Sequence, residues 1–184
     1  MNHFTNLETP SLILNKKILT ENCKNMRKKC SDLKTKLRPH IKTPKSIEIA
    51  RIALNNKIGP ITVSTLKEAE YFASAGFKDI LYAVGIVPNK LIRIKKIQHN
   101  YNCSVKLILD SVQMANAVAK FSSINNIKFD ILIEIDSGEG RGGLKGNDKS
   151  LKEISYIFKN QKISKLIGIM THAGHSYSSN NKIN

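Results

Sequence analysis

LRPHIKTPKS, residues 37–46, is the stretch on which the reading of this chain turns. Leu37 and Ile41 share one face of a short strand, which puts Arg38 and His40 on the other. Lys42 then stands where the strand ends. Thr43-Pro44 breaks the run, because a proline holds the residue before it extended and suits the first turn of a helix. A lysine at the carboxyl end of a strand, opening a strand-to-helix loop, occupies the place where α/β barrels keep their chemistry. In a confined apolar setting a lysine amine loses its charge readily and can form an imine with an aldehyde. By spacing alone Lys42 reads more readily as one solvated lysine among many.

Outward from this stretch the chain alternates strands and helices. Thr9-Pro10 leads into the extended SLILN, and residues 17–31 carry helical spacing at Ile18, Cys23, Met26 and Cys30. Residues 46–55 read as a helix with Ile47, Ile49, Ala50 and Ala53 inward. Residues 57–63 read as a strand, with Ser64-Thr65 capping LKEAEYFASAG and Gly76 stopping it. Further strands are expected at 79–83, 105–109, 129–135 and 166–170. Between them lie helices opened by Pro88, carrying Leu91, Ile92, Ile94 and Ile97, by Ser111 and by Ser150.

Near-continuous apolar strands alternating with amphipathic helices, about every thirty residues, indicate a parallel sheet with helices outside it. A doubly wound sheet and a (β/α)8 barrel both fit. Reactive residues recur at strand ends: Lys42, Ser64-Thr65, Asp110-Ser111, Asp136 with Arg141, and Thr171-His172. A barrel gathers all such ends at one mouth, whereas an open sheet gathers them only at its switch point. The barrel is therefore expected, with about six of its eight units present and no closing element in the polar SSNNKIN.

At 184 residues and 41% hydrophobic, the chain can bury one core and is expected to form a single unit. No window approaches the ~20 apolar residues of a membrane span, and MNHFTNLETP lacks the layout of a signal peptide, so the cytoplasm is the expected compartment. Cys23, Cys30 and Cys103 are odd in number and form no C-x-x-C, so they are expected to be reduced packing residues. A formal charge of +16 raises nucleic-acid binding as a function. The lysines are scattered and Trp is absent, which leaves no aromatic-interleaved stripe for stacking bases, and specific nucleic-acid binding is not expected. A mouth that attracts a phosphorylated cofactor or a carboxylate substrate fits the same charge.

DSGEGRGGL, residues 136–144, contains G-x-G-x-x-G after a strand. Lys145-Gly146-Asn147 delays the next helix, and the following strand ends in Met170-Thr171-His172 without an acidic residue, so it is a poor dinucleotide fingerprint. In THAGHSY, residues 171–177, His172 and His175 lack a third ligand, and no metal site is expected. Charged groups inside a barrel need partners, and Arg38 and His40 are expected to find Asp136 or Glu134. Thr65, Asp110 and Ser111 are lesser candidates at the same mouth.

RPHIKTPKS resembles the RPHxKTHKS segment of the D-threonine aldolase and D-serine dehydratase group, whose fold type III barrel is like that of alanine racemase. In that family the lysine after RPHx carries pyridoxal 5'-phosphate as an internal aldimine, and it falls on Lys42. The family's second histidine is Pro44 here. DSGEGRGGL resembles the family's D-x-G-x-x-R-x-G motif, with Arg141 as the arginine beside the cofactor's phenolic oxygen, where a guanidinium stabilises the anion. THAGHSY resembles its H-x-G-x-[ST]-Y stretch, which lays His172 against the pyridine ring and borders the pocket with Tyr177. Arg38, His40 and Asp136 then support Lys42 from behind.

The resemblance runs from residue 9 to about 177 and implies a partial (β/α)8 TIM barrel, like the alanine racemase N-terminal domain. Residues 1–184 would be an incomplete cofactor-bearing barrel, with the family's mainly β C-terminal domain absent. It implies a pyridoxal phosphate-dependent lyase acting on D-amino acids, of the D-threonine aldolase or D-serine dehydratase type. An amino-acid racemase and a non-catalytic pyridoxal phosphate-binding protein are the alternatives. A divalent metal and a homodimer are implied for full-length relatives only.

Overall fold

The computed structural model describes residues 7–178. Residues 1–6 and the polar end at 179–184 lie outside the described residues. Helix α1 (Lys16–Asp32) opens where Asn15 Oδ1 accepts from the Ile18 N–H at 3.0 Å. The strand expected at 37–41 is reduced to one parallel bridge between His40 and Thr62. The Ile41 N–H donates to Thr62 O and the Thr62 N–H to Pro39 O, both at 2.9 Å. Pro39 has no N–H with which to lengthen the ladder, and the chain turns immediately after Ile41. Pro44 lies in that turn, which the Lys45 N–H closes onto Ile41 O at 3.0 Å. It does not enter the helix: α2 (Ile47–Ala53) starts after Ser46, whose Oγ accepts from the Ile49 N–H.

Strands and helices then alternate: β1 (Ile61–Val63), α3 (Leu66–Ser74), β2 (Asp79–Gly85), α4 (Pro88–Tyr101), β3 (Ser104–Leu109), α5 (Val112–Asn125), β4 (Asp130–Glu134), α6 (Ser150–Asn160) and β5 (Lys165–Met170). The hydroxyls of Thr65 and Ser111 cap α3 and α5 by accepting from the Glu68 and Met114 N–H groups, at 3.0 and 3.3 Å. Pro88 is the first residue of α4, where a missing N–H costs no helical bond. Gly76, at φ +94°, takes the chain out of α3.

The sheet order is β1-β2-β3-β4-β5 with every neighbouring pair parallel. A doubly wound sheet reverses its order at a switch point. Here no reversal occurs, so right-handed crossovers place all the helices on one face and leave the other as a barrel interior. Strand alternation sorts the side chains accordingly. Ile61, Ile80, Leu107 and Ile131 join Phe72, Leu91 and Ile154 in the helix-side core. Leu81 and Ile108 are buried apart from that core, on the interior face. The fold is thus α/β and part of a barrel.

Three apolar surfaces stay open to solvent. Helix α1 has no buried residue, and Ile18 and Met26 stay about half exposed. It lies against α2 instead of the sheet, tied there by Arg27, which donates to Ile52 O and Ala53 O at 2.8 and 3.1 Å. Ile92 sits on the outer side of α4, where Leu91, Ile94 and Ile97 already fill the inward stripe. Ile169 of β5 is 67% exposed on the face that the helices cover elsewhere. Among the described residues no helix is long and apolar enough to cross a membrane.

Candidate active site

The carboxyl ends of the strands converge on a cavity of about 330 Å³. Its polar lining includes His40, Lys42, Ser64, Glu134, Arg141 and His172, and Leu81, Ala83, Val84 and Met170 supply apolar wall. The sheet order explains the meeting, because sequential parallel strands end side by side. A larger hollow of about 600 Å³ opens beside Lys95, Gln98 and Lys128, near the strands' amino ends. It collects none of the strand-end groups, and the smaller cavity is the better candidate.

Lys42 follows directly on the His40–Thr62 bridge. Its N–H donates to His40 Nδ1 at 3.3 Å, and His40 Nε2 lies 3.3 Å from Ser64 Oγ. A ring that accepts at Nδ1 carries its proton at Nε2, which donates to the serine. Burial, and then the charge of Lys42, lower the His40 pKa below its ordinary value and favour that neutral form. Glu134 is shifted the other way: burial and the nearby Asp110 raise its carboxyl, against the pull of Arg141 and His172.

Arg141 is exposed at the cavity on the loop between β4 and α6. Asp136 shapes that loop. Its carboxylate accepts from the Gly140 and Gly138 N–H groups, at 3.0 and 2.9 Å, and these bonds hold its pKa below the ordinary value. The loop returns to the sheet through a bridge in which the Leu144 N–H donates to Glu134 O and the Asp136 N–H to Leu144 O, each at 2.9 Å. Gly143 makes the return possible. Its φ is +94°, and a β-carbon there would come within 2.8 Å of backbone atoms of Glu134, Ile135 and Asp136.

The segment after β5 is bound to this loop. Thr171 Oγ1 donates to Ser137 Oγ at 2.8 Å, His172 Nδ1 lies 2.9 Å from Glu139 Oε2, and the Gly174 N–H donates to the same oxygen at 3.2 Å. The hydrogen bond from His172 lowers the Glu139 pKa. Tyr177, on a 3-10 turn over Gly174–Ser178, stands edge-on to His172 with ring centres 6.2 Å apart. It is 84% exposed and stands outside the wall formed by His172.

Arg38 has a different partner from the one expected. It grips Asp79 with both guanidinium nitrogens, at 2.8 and 2.9 Å, and Lys106 shares the same carboxylate. Asp79 opens β2, so this ionic cluster lies at the amino end of the barrel interior. Held by Asp79 at the opposite end of the strands, Arg38 does not line the cavity and is not bonded to Asp136 or Glu134. Thr65 and Ser111 spend their hydroxyls on helix caps, and Asp110 reaches the cavity through its charge on Glu134. Glu139 escaped the sequence reading. Its only local signal is an acidic side chain between glycines, and its partner His172 lies 33 residues away. Among the described residues no group of three or more His, Cys, Asp or Glu side chains could hold a metal ion.

Fold and cavity together define a barrel of the class that keeps its working residues at the carboxyl ends of parallel strands. The chain belongs to the family described as alanine racemase, N-terminal domain, whose model matches residues 14–184. It is 37% identical over 171 residues to the D-threo-3-hydroxyaspartate dehydratase of Delftia sp. (strain HT23), covering 93% of this chain and 45% of that protein. It is 30% identical over 184 residues to the D-serine dehydratase of Dictyostelium discoideum, covering 94% and 46%. The solved structure of the Delftia sp. HT23 dehydratase matches with a TM-score of 0.90 and 36% identity, over 96% of this chain and 46% of that one. The chain therefore spans about half the length of the curated relatives it matches, which include dehydratases and aldolases of D-amino acids.

Proposed function

We propose that the cavity holds pyridoxal 5'-phosphate on Lys42 and that the chain is the cofactor-bearing barrel portion of a lyase acting on D-amino acids, of the dehydratase or aldolase type. The observation that carries this reading is the convergence of Lys42, Arg141 and His172, from three separate strand ends, on one cavity. The residues fit such a group. One amine can take an aldehyde, one guanidinium can face an anionic ring oxygen, and Leu81, Ala83 and Val84 give a flat ring an apolar wall. At about 330 Å³ the space lies at the small end for a ligand site, as suits one substituted pyridine.

When bound, pyridoxal phosphate supplies an electron sink for bonds breaking at the substrate's α-carbon. The chain's own residues divide the remaining work. Lys42 Nζ would hold the cofactor and, once freed by substrate, stand ready to carry a proton. Arg141 would stabilise negative charge at the ring oxygen, and His172 would lie along the ring, with Tyr177 behind it. His40, neutral and bonded to the Lys42 backbone and to Ser64, would keep the lysine's base in place. Asp136 would do the same for the Arg141 loop. Arg38 would act on the barrel floor through Asp79.

In this reading residues 1–184 are one barrel portion. The remaining units, a mainly β domain, its divalent metal and a homodimer partner would come from polypeptide beyond these residues. The three free cysteines suit a reducing, cytoplasmic setting. The test is spectroscopic. Mixing the chain with pyridoxal phosphate should give a visible band that is absent from Lys42→Ala, and D-serine or D-threonine should perturb it more than their L-enantiomers. An equal band from Lys42→Ala contradicts the cofactor reading, and indifference to configuration contradicts the substrate class.

A further inference from the structure

We propose that Glu139 is the positioning residue of this mouth, locking the loop after β4 to the segment after β5 and fixing the tautomer of His172 so that Nε2 is left for the cavity. Three observations carry it. Glu139 Oε2 lies 2.9 Å from His172 Nδ1 and accepts from the Gly174 N–H at 3.2 Å, so one carboxylate oxygen joins a side chain and the backbone of the opposite segment. A carboxylate can only accept, and therefore Nδ1 carries a hydrogen. His172 lines the cavity, and among the described residues nothing is hydrogen-bonded to Nε2.

The third observation is Gly174 itself. A β-carbon on it would overlap the Glu139 carboxylate, although the backbone there is not in the left-handed region. Glycine at this position makes room for the Glu139 side chain and no unusual turn. The Ser137–Thr171 hydrogen bond, 2.8 Å, fastens the same two segments a residue or two earlier, so the loops approach as a unit. The side-chain oxygen of Glu139 thus selects which imidazole nitrogen can exchange a proton or meet a ligand. The geometry stands without the cofactor, and only the identity of what Nε2 faces rests on the function proposed above.

The experiment reads the His172 ring directly, in the chain without cofactor, by long-range proton–nitrogen correlation NMR assigned with His172→Gln. In the neutral ring Nδ1 should give the protonated, pyrrole-like signal and Nε2 the bare one. Glu139→Gln keeps an accepting oxygen and should preserve that pattern. Glu139→Ala should move the tautomer ratio by roughly tenfold toward Nε2–H, as expected for losing a charge-assisted hydrogen bond. Gly174→Ala should push the flexible carboxylate aside and reproduce Glu139→Ala, and the double variant should go no further than either one. A bare Nδ1 in the parent chain, an unchanged ratio in Glu139→Ala, or additive effects of the two substitutions would overturn the proposal. Because no cofactor is present, these outcomes are independent of whether Lys42 binds pyridoxal phosphate.

Discussion

Replacing Asp79 with asparagine tests the ionic cluster in the barrel floor without touching the cavity. The carboxylate receives both guanidinium nitrogens of Arg38 and the ammonium of Lys106, three charge-assisted bonds. Breaking a fully buried pair of this kind costs about 3–5 kcal/mol, because the partners are left charged and unpaired. The Asp79 side chain is 38% exposed and Arg38 27%, so solvent screens part of this and about 2 kcal/mol is expected. For a chain of this size that corresponds to a fall in Tm of roughly 4–8 °C.

The effect should depend on pH in one direction. Burial alone would raise the Asp79 carboxyl, and the hydrogen bonds and charges of Arg38 and Lys106 outweigh it, so the folded pKa lies below the ordinary value. A lowered carboxyl stabilises fully above its unfolded pKa of about 3.9 and loses that contribution as pH falls through the folded value. Urea unfolding of the parent and Asp79→Asn should differ most near neutrality and converge in acid. Adding Lys106→Met should recover part of the loss by removing one stranded cation, whose side chain is 16% exposed. A variant within about 0.5 kcal/mol of the parent at neutral pH, or a gap that persists in acid, would refute the reasoning.

Thr65→Ala removes the α3 cap and the partner of a reciprocal arrangement in which Glu68 Oε2 accepts from the Ser64 N–H, and it should cost about 1 kcal/mol in urea unfolding. Gly143→Ala should cost more than about 1 kcal/mol, because its positive φ and backbone crowding leave no place for a methyl. Gly146→Ala, with open space and no positive φ, should stay within about 0.5 kcal/mol on the same assay. Arg141→Ala, in an exposed loop, should leave stability within about 0.5 kcal/mol yet alter the spectrum of bound pyridoxal phosphate; lost stability with an unchanged spectrum would count against its proposed role.

Local signals made the sheet legible. Apolar runs, the hydroxyl caps Thr65 and Ser111, Pro88 and Gly76 each act within a turn of their own position, and their elements form where expected, except that the strand read over 57–63 pairs only over Ile61–Val63. The convergence of Lys42, Arg141 and His172 was also legible, since each follows a strand end and sequential winding brings such ends together. Partners distant in sequence were not. Arg38 meets Asp79, 41 residues on, and its alternation fixed the face of the barrel but not the level along its axis. Glu139 works through a histidine 33 residues later. For α1, periodicity named a face correctly as a helix face, but the element beneath it is α2 rather than the sheet, and nothing on it becomes buried.

The proposed function rests most heavily on Lys42, and one measurement addresses it. The chain is incubated with limiting pyridoxal phosphate, reduced with borohydride, digested, and the labelled peptide is located by mass spectrometry. Lys45 is an internal control: three residues away, it sits across the Pro44 turn with its ammonium 3.7 Å from Glu68. One dominant label is expected on Lys42, lost in Lys42→Ala. Label concentrated on Lys45, or spread over the surface lysines of this basic chain, would contradict it.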